Sequence, residues 1–435
     1  MSYLHLVHNY ITRAPKGTVI PESPATLGFF SSTGVAASGD LFGFKTGATS
    51  SPDGKYSMIA LGVLNNGGSQ GEYSVSTDHG VTYTTTRWVD VTEVTTASKD
   101  SLTSTAVNAL ASSVKWEPFY RKFIVCQRIG DDAEYWWMDP EVSLTTWTSM
   151  LDTDDGDNIE FRHFGFVPLG NGQIRFAGRN LEDPFRTTGS LGTSNGPSWT
   201  DINSTILGIW PPNPRGQLTD LAISYDACLT TGGIMARIGV NTGTPNANNN
   251  EVLLENVGTA VEVGASGATN GYWPSFSTGN DGNKSFLINT AVDEHRIWPV
   301  RAGMDLDEDT ESFLLPTTGE DTVLVDVGYR AGNGWVAVGI ASDTAADTSG
   351  GEGKFFVWTS RSGTSGDWSL PQEISINFVN YAPNGTSYLA NDPEGALGDS
   401  YSVIFLGGAS TPDKWGIVAA NTVSRVIMYT FNASG

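Results

Sequence analysis

Strand-like apolar stretches hinged at polar turns recur through this chain at a nearly constant long interval, and that period restricts the fold more than any other feature. Seven such hairpins can be read, over residues 49–60, 115–126, 166–177, 224–237, 275–288, 328–338 and 380–390. They start near 50, 116, 167, 225, 276, 329 and 381, at intervals of 66, 51, 58, 51, 53 and 52 residues. A sandwich shows a turn every 8 to 12 residues, roughly, with no longer period above it. A repeat near 50 residues indicates one supersecondary unit used again and again. The turn residues repeat as well: Pro52-Asp53-Gly54, Asn171-Gly172, Gly232-Gly233, Asp281-Gly282 and Asn384-Gly385 all tolerate the positive φ of tight hairpin turns.

A second kind of turn follows the first hairpin. Tyr73 and Val75 alternate with small polar residues, then Ser76-Thr77-Asp78-His79-Gly80-Val81-Thr82-Tyr83 interrupts the strand. An Asp carboxylate can accept backbone N–H groups, and a Gly two residues later can take positive φ, so the turn closes through its own side chain. Tyr83 is placed to cover it, and His79, inside the turn, is expected at the surface. This octet resembles the Asp-box (BNR) repeat of sialidases and related β-propellers, Ser-x-Asp-x-Gly-x-Thr-Trp, with Tyr83 in the Trp place. The resemblance covers eight residues and implies structural roles for Ser76, Asp78, Gly80 and Tyr83, on the outer hairpin of a blade and away from any active site. Three later stretches look like worn versions: Met138-Asp139-Pro140 with Trp147, the run from Thr193 to Trp199, and the run from Trp358 to Trp368.

Together these features imply an all-β chain folded as a single β-propeller over residues 1–435, of seven blades, with six or eight as the alternatives. The blades are expected at about 25–95, 96–155, 156–210, 211–265, 266–318, 319–374 and 375–435, with 1–24 as a closure strand or arm. Residues 3–12 alternate well enough to be the terminal strand that pairs with the last blade and removes an exposed edge.

Composition agrees and excludes. Fifty-one Gly and 20 Pro suit many tight turns, and 13 Trp, 14 Tyr and 19 Phe suit packed strands. Nothing approaches the roughly 20 apolar residues that span a bilayer. A formal charge of −23 repels a nucleic-acid backbone. Two cysteines, Cys126 and Cys228, are too few for a disulfide framework and read as buried thiols. The start, with two His, a Tyr and an Asn, lacks the unbroken apolar core of a secretory signal, so synthesis in the cytoplasm is expected.

Candidate chemistry is sparse. The sialidase resemblance requires an early Arg-Ile-Pro, which Arg13-Ala14-Pro15 matches in part. It also requires further arginines to hold a substrate carboxylate, with a Tyr–Glu nucleophile pair and an Asp acid/base. Arg237, Arg296, Arg301 and Arg330 are available, but no motif fixes them. Asp152, Asp154, Asp157 and Glu160, around Gly156, form the oxygen-rich pattern that Ca²⁺ favours. The loop departs from EF-hand spacing and has no flanking helices, which favours a solvated inter-blade loop. A second acidic run, 305–311, lacks the Gly. His5 and His8 point to opposite faces of a strand and supply no zinc site.

The sequence therefore reads as a non-enzymatic binding or structural propeller of a phage particle: a tail, fibre or decoration protein. Its expected partners are other virion proteins or a host surface glycan, with no nucleic acid, no membrane insertion, no cofactor unless Ca²⁺, and an oligomer allowed. Polar insertions at 241–250, 343–353 and 391–400 would decorate its loop surface. The alternatives are a sialidase-like glycoside hydrolase and a cytoplasmic Asp-box assembly factor.

Overall fold

The computed structural model describes residues 19–21, 47–60, 72–94, 113–129, 132–149, 163–168, 173–179, 185–192, 196–201, 225–230, 233–239, 250–254, 259–262, 274–277, 279, 285–289, 295–300, 312–320, 322–332, 334–341, 352–377, 401–408, 410–421 and 425–433. Among them are 29 strands, one 3-10 turn at Trp88–Asp90, and no α-helix.

The strands form seven sheets built from neighbours in sequence. The first contains Gly47–Ser50, Ser57–Ala60, Glu72–Ser76 and Thr84–Arg87. The second contains Ser113–Glu117, Lys122–Ile129, Asp132–Met138 and Thr146–Ser149. The third opens with His163–Pro168, the fourth with Tyr225–Thr230 and the fifth with Pro274–Phe276. The sixth is Thr322–Arg330, Gly334–Ala341, Glu352–Ser360 and Gln372–Asn377. The seventh is Tyr401–Phe405, Lys414–Asn421, Arg425–Ala433 and, from the other end of the chain, Val19–Pro21.

The opening strand of each of the first four sheets packs on that of the next. From the fifth sheet, Ser285–Asn289 packs on Thr322–Arg330, which packs on Tyr401–Phe405. Tyr401–Phe405 then packs on Gly47–Ser50, so the circuit closes and the molecule is a β-propeller. Side chains and backbone stitch the inner strands together. The N–H of Trp116 donates to Thr49 Oγ1 (3.2 Å), that of Phe405 to Ser50 Oγ (3.1 Å), and that of Val403 to the buried carboxylate of Asp326 (2.6 Å).

The core lies in the seams. Strand alternation sends successive residues to opposite faces, and in Gly334–Ala341, buried throughout, the two faces serve different seams. Val336, Val338 and Ile340 join Val403, Phe405, Trp415 and Ile417 between the sixth and seventh sheets. Trp335, Ala337 and Ala341 join Phe286, Ile288 and Ile297 between the fifth and sixth. Tyr56, Met58 and Tyr73 meet Trp116, Phe123 and Trp147 between the first and second. Ala48 and Ile59 meet Leu406, Val418 and Met428 between the first and seventh.

An N-terminal strand within the expected 1–24 joins the last sheet: Val19–Pro21, pairing Val19 with Ala433 and Pro21 with Phe431, while residues 3–12 lie outside the described residues. Two features differ from the sequence expectation. The hairpin of the last sheet is Tyr401–Phe405 with Lys414–Asn421, its turn built on Gly407, Gly408 and Thr411 rather than on Asn384-Gly385. Residues 380–390 lie outside the described residues. The second sheet carries a fifth strand, Thr92–Val94, parallel to Thr146–Ser149, which the hairpin pattern does not reveal.

Candidate functional site

In a meander of antiparallel strands, the turn between strands one and two and the turn between three and four lie at the same end. The well-described turns of the first, second, sixth and seventh sheets gather there.

At the first of these, Ser76 Oγ accepts from the Gly80 N–H (2.9 Å) and donates to Asp78 Oδ1 (2.8 Å). Asp78 Oδ1 also accepts from the N–H groups of Val81 (3.2 Å) and Thr82 (2.9 Å), and its Oδ2 from the Thr82 hydroxyl (2.6 Å). Partial burial pushes the Asp78 pKa up, but the Thr82 hydroxyl and N–H, with Ser76, outweigh it and hold the carboxyl below its ordinary range. Gly80 has φ +67°, and the preceding His79 is also left-handed at +63°. His79 is not simply at the surface: it is half-buried, and its Nδ1 lies 2.9 Å from the Gly407 carbonyl of the seventh sheet. Tyr83 covers the turn and bonds Ser57 Oγ at 2.8 Å, packing into the cluster formed by Leu406 and Met428.

The sixth sheet repeats this arrangement with another spacing. Ser360 Oγ accepts from the Gly363 N–H (2.8 Å) and donates to Asp367 (2.9 Å), whose carboxylate also accepts from the Ser362 N–H (2.7 Å). Gly363 has φ +68°, and a Cβ there would lie 2.8 Å from Trp335 Nε1 and 3.0 Å from Phe286. Trp368, closing the turn, packs beside Phe286 of the fifth sheet. In both turns the terminal aromatic fills the seam with the preceding sheet.

At the seam of the first and second sheets the turns carry charge. The Tyr56 hydroxyl donates to Glu141 Oε1 (2.8 Å) and accepts from Lys55 Nζ (2.7 Å). Arg121 donates to the same Oε1 through Nε (3.3 Å) and lies 3.2 Å from it through Nη2. Its guanidinium lies 5.4 Å from the centre of the Tyr56 ring, which stacks on Trp116. The Tyr56 hydroxyl, then Arg121 and Lys55, hold the Glu141 carboxyl below its ordinary range. Arg121 is itself left-handed (φ +57°), a strained state for a non-glycine residue. Buried Glu117 fixes the turn ahead of it by accepting from the N–H groups of Phe119 and Tyr120. Phe119 is 58% exposed and meets the Tyr120 ring edge-on at 4.8 Å. Sequence reasoning missed this group. Its signal is a hairpin turn, Pro118-Phe119-Tyr120-Arg121, that places two aromatics where turns favour Gly, Asn or Asp.

Of the arginines considered for a carboxylate clamp, Arg296 opens the third strand of the fifth sheet and donates to Ser312 Oγ (2.6 Å). Arg330 ends the first strand of the sixth sheet, over the Phe405 ring and 3.8 Å from Asp413. First and third strands run in the same direction, so these two arginines lie at opposite ends of the ring. Arg237 lies in Gly233–Gly239, paired with Asp226 and Val252. Arg13, Arg301, His5, His8, residues 305–311 and the four acidic residues Asp152, Asp154, Asp157 and Glu160 lie outside the described residues. So do the insertions at 241–250, 343–353 and 391–400, apart from residues 250, 352 and 353. Cys126 and Cys228 occupy strands of different sheets.

No group of three or more His, Cys, Asp or Glu among the described residues is arranged to hold a metal ion, and none of their helices is long and apolar enough to cross a membrane. No protein-family model and no curated protein matches the chain. Among solved structures it is similar to the BP39L lectin from Burkholderia pseudomallei, with a TM-score of 0.45 and 11% identity over 91% of this chain and 98% of that one. It is also similar to the Dos1 propeller (0.41, 10%, 95% of each chain) and to the β-propeller domain of the Trilobed protease from Pyrococcus furiosus (0.42, 7%, 91% and 94%).

Proposed function

We propose that this chain is a non-enzymatic propeller that binds or builds: a component of a phage particle, as tail, fibre or decoration protein, acting through protein assembly or attachment to a surface glycan. The observation that supports it is the turn end of the ring. Turns held by internal hydrogen bonds present Val81 (72% exposed), Phe119, Val142 (82%) and Leu370 (72%) to solvent from three sheets. Apolar side chains held out from hydrogen-bonded turns at one end of the ring offer contact area to a partner. The opposed positions of Arg296 and Arg330 fit binding better than hydrolysis, because cleaving a sialoside needs cations converging on one carboxylate.

Purified particles probed with an antibody to this chain should contain it in fixed stoichiometry, and the isolated protein should not turn over fluorogenic sialosides or neutral glycosides. Absence from particles refutes the assembly reading. Robust hydrolysis abolished by Arg13→Ala replaces it with the sialidase-like one.

A further inference from the structure

The Phe119 turn holds a combination that inter-sheet packing does not use up. Glu141 receives the Tyr56 hydroxyl and the Arg121 guanidinium on one oxygen, Oε1, and its Oε2 takes no hydrogen bond among the described residues. Arg121 spends two of its nitrogens on that oxygen and leans on Tyr56, which leaves guanidinium N–H groups to spare. Both side chains are about half exposed, at 47% and 50%. A free acceptor and free donors thus lie side by side, held by a buried carboxylate below and a stacked Tyr–Trp pair behind. Two residues before Arg121, in the same turn, Phe119 offers its ring to solvent.

We propose that Phe119, Arg121 and Glu141 form a subsite for a neutral pyranose sugar, with Phe119 under the apolar face of the ring and Arg121 and Glu141 sharing two adjacent hydroxyls. The chemistry selects a sugar because one partner must be an apolar disc on one side and a paired donor and acceptor on its rim. It selects a neutral one because Lys55 and Arg121 are already balanced by Asp53 and Glu141, and the open Glu141 oxygen repels a sugar carboxylate. The strain at Arg121 fits this use, since left-handed non-glycine residues persist where the surroundings hold a side chain in place for a task.

This rests on the glycan-attachment arm of the proposed function, and the test separates the two. Saturation-transfer NMR on the full chain would use the methyl glycosides of glucose, galactose, mannose and N-acetylglucosamine, with the methyl glycoside of N-acetylneuraminic acid as the anionic counterpart. At least one neutral glycoside should bind. Phe119→Ser and Glu141→Gln should each weaken it about tenfold, and Arg121→Gly, which suits the left-handed backbone, should weaken it without lowering the melting temperature. Leu370→Ser, on the sixth sheet, should change nothing. Sugar binding that survives both Phe119→Ser and Glu141→Gln overturns the subsite and leaves glycan attachment standing. Preference for the sialoside, or no binding to any neutral glycoside, overturns the subsite whether or not the chain is found in particles.

Discussion

Burying an imidazole with one nitrogen lacking a partner makes a residue sensitive to protons, and His295 is placed that way. Only 4% exposed, it lies 5.3 Å from the Trp358 ring, with Nε2 unpartnered among the described residues. Burial pushes its pKa below the ordinary imidazole range, against a smaller upward pull from a hydrogen bond to the Thr322 backbone. The folded chain therefore binds this proton less readily than the unfolded chain, whose imidazole titrates near 6.5. Stability from His295 is complete above that pH and declines as pH falls below it toward the folded-state pKa, by at most about 1.4 kcal/mol per pH unit. Urea unfolding of wild type and His295→Gln from pH 8 to pH 5 checks this, because the acidic residues they share cancel in the difference. A difference that does not vary with pH defeats the expectation. Nothing in the sequence around His295 marks it, since its neighbours in space, Trp358 and Thr322, come from another sheet. The same holds for the partners of Arg121 and His79: Tyr56, Glu141 and Gly407 come from other turns, and no local pattern announces them.

Between strand and turn, one hydrogen-bond arrangement is written in two spellings. Ser76, Asp78 and Gly80 lie within five residues, so the turn and its roles can be read directly from the octet. Ser360, Gly363 and Asp367 make the same bonds, but the carboxylate arrives seven residues after the serine and directly before the aromatic, so only the closing Trp368 is recognisable. Asp78→Ala should cost about 1.5–3 kcal/mol, toward the lower figure because the turn is partly exposed, and should leave partner binding untouched. Asp367→Ala should behave alike, and thermal melting of both variants checks the pair. An unchanged melting temperature in either would mean that the carboxylate is dispensable to its turn. Elsewhere the local signals fall short. The last sheet turns at Gly407 and Gly408, a stretch that the hairpin pattern does not single out. Thr92–Val94 is too short for its alternation to indicate a sheet, and its parallel partner comes some 50 residues later.

For the ring as a whole, the period of the hairpins carried the architecture because every sheet repeats one local problem: a small meander of strands whose two faces must both be covered. What the period cannot say is which residues fill each seam, since those contacts join sheets distant in sequence, most of all where the first meets the seventh. Closure rests on Val19–Pro21. Removing residues 1–24 should lower stability by about 1–3 kcal/mol, the net worth of a few ladder hydrogen bonds, and bare the edge of Arg425–Ala433 for pairing with another copy. Calorimetry and gel filtration at several concentrations would register both effects, and a truncated chain that melts like the full one and stays monomeric would deny the strand its role. The antiparallel pairing of Val19 with Ala433 has a mechanical side. Tension applied through residue 19 and residue 433 enters the pair at one end, so its bonds are loaded one after another and peel instead of sharing the force. Under traction the ring should part first at this closure, while the other sheets keep their strands.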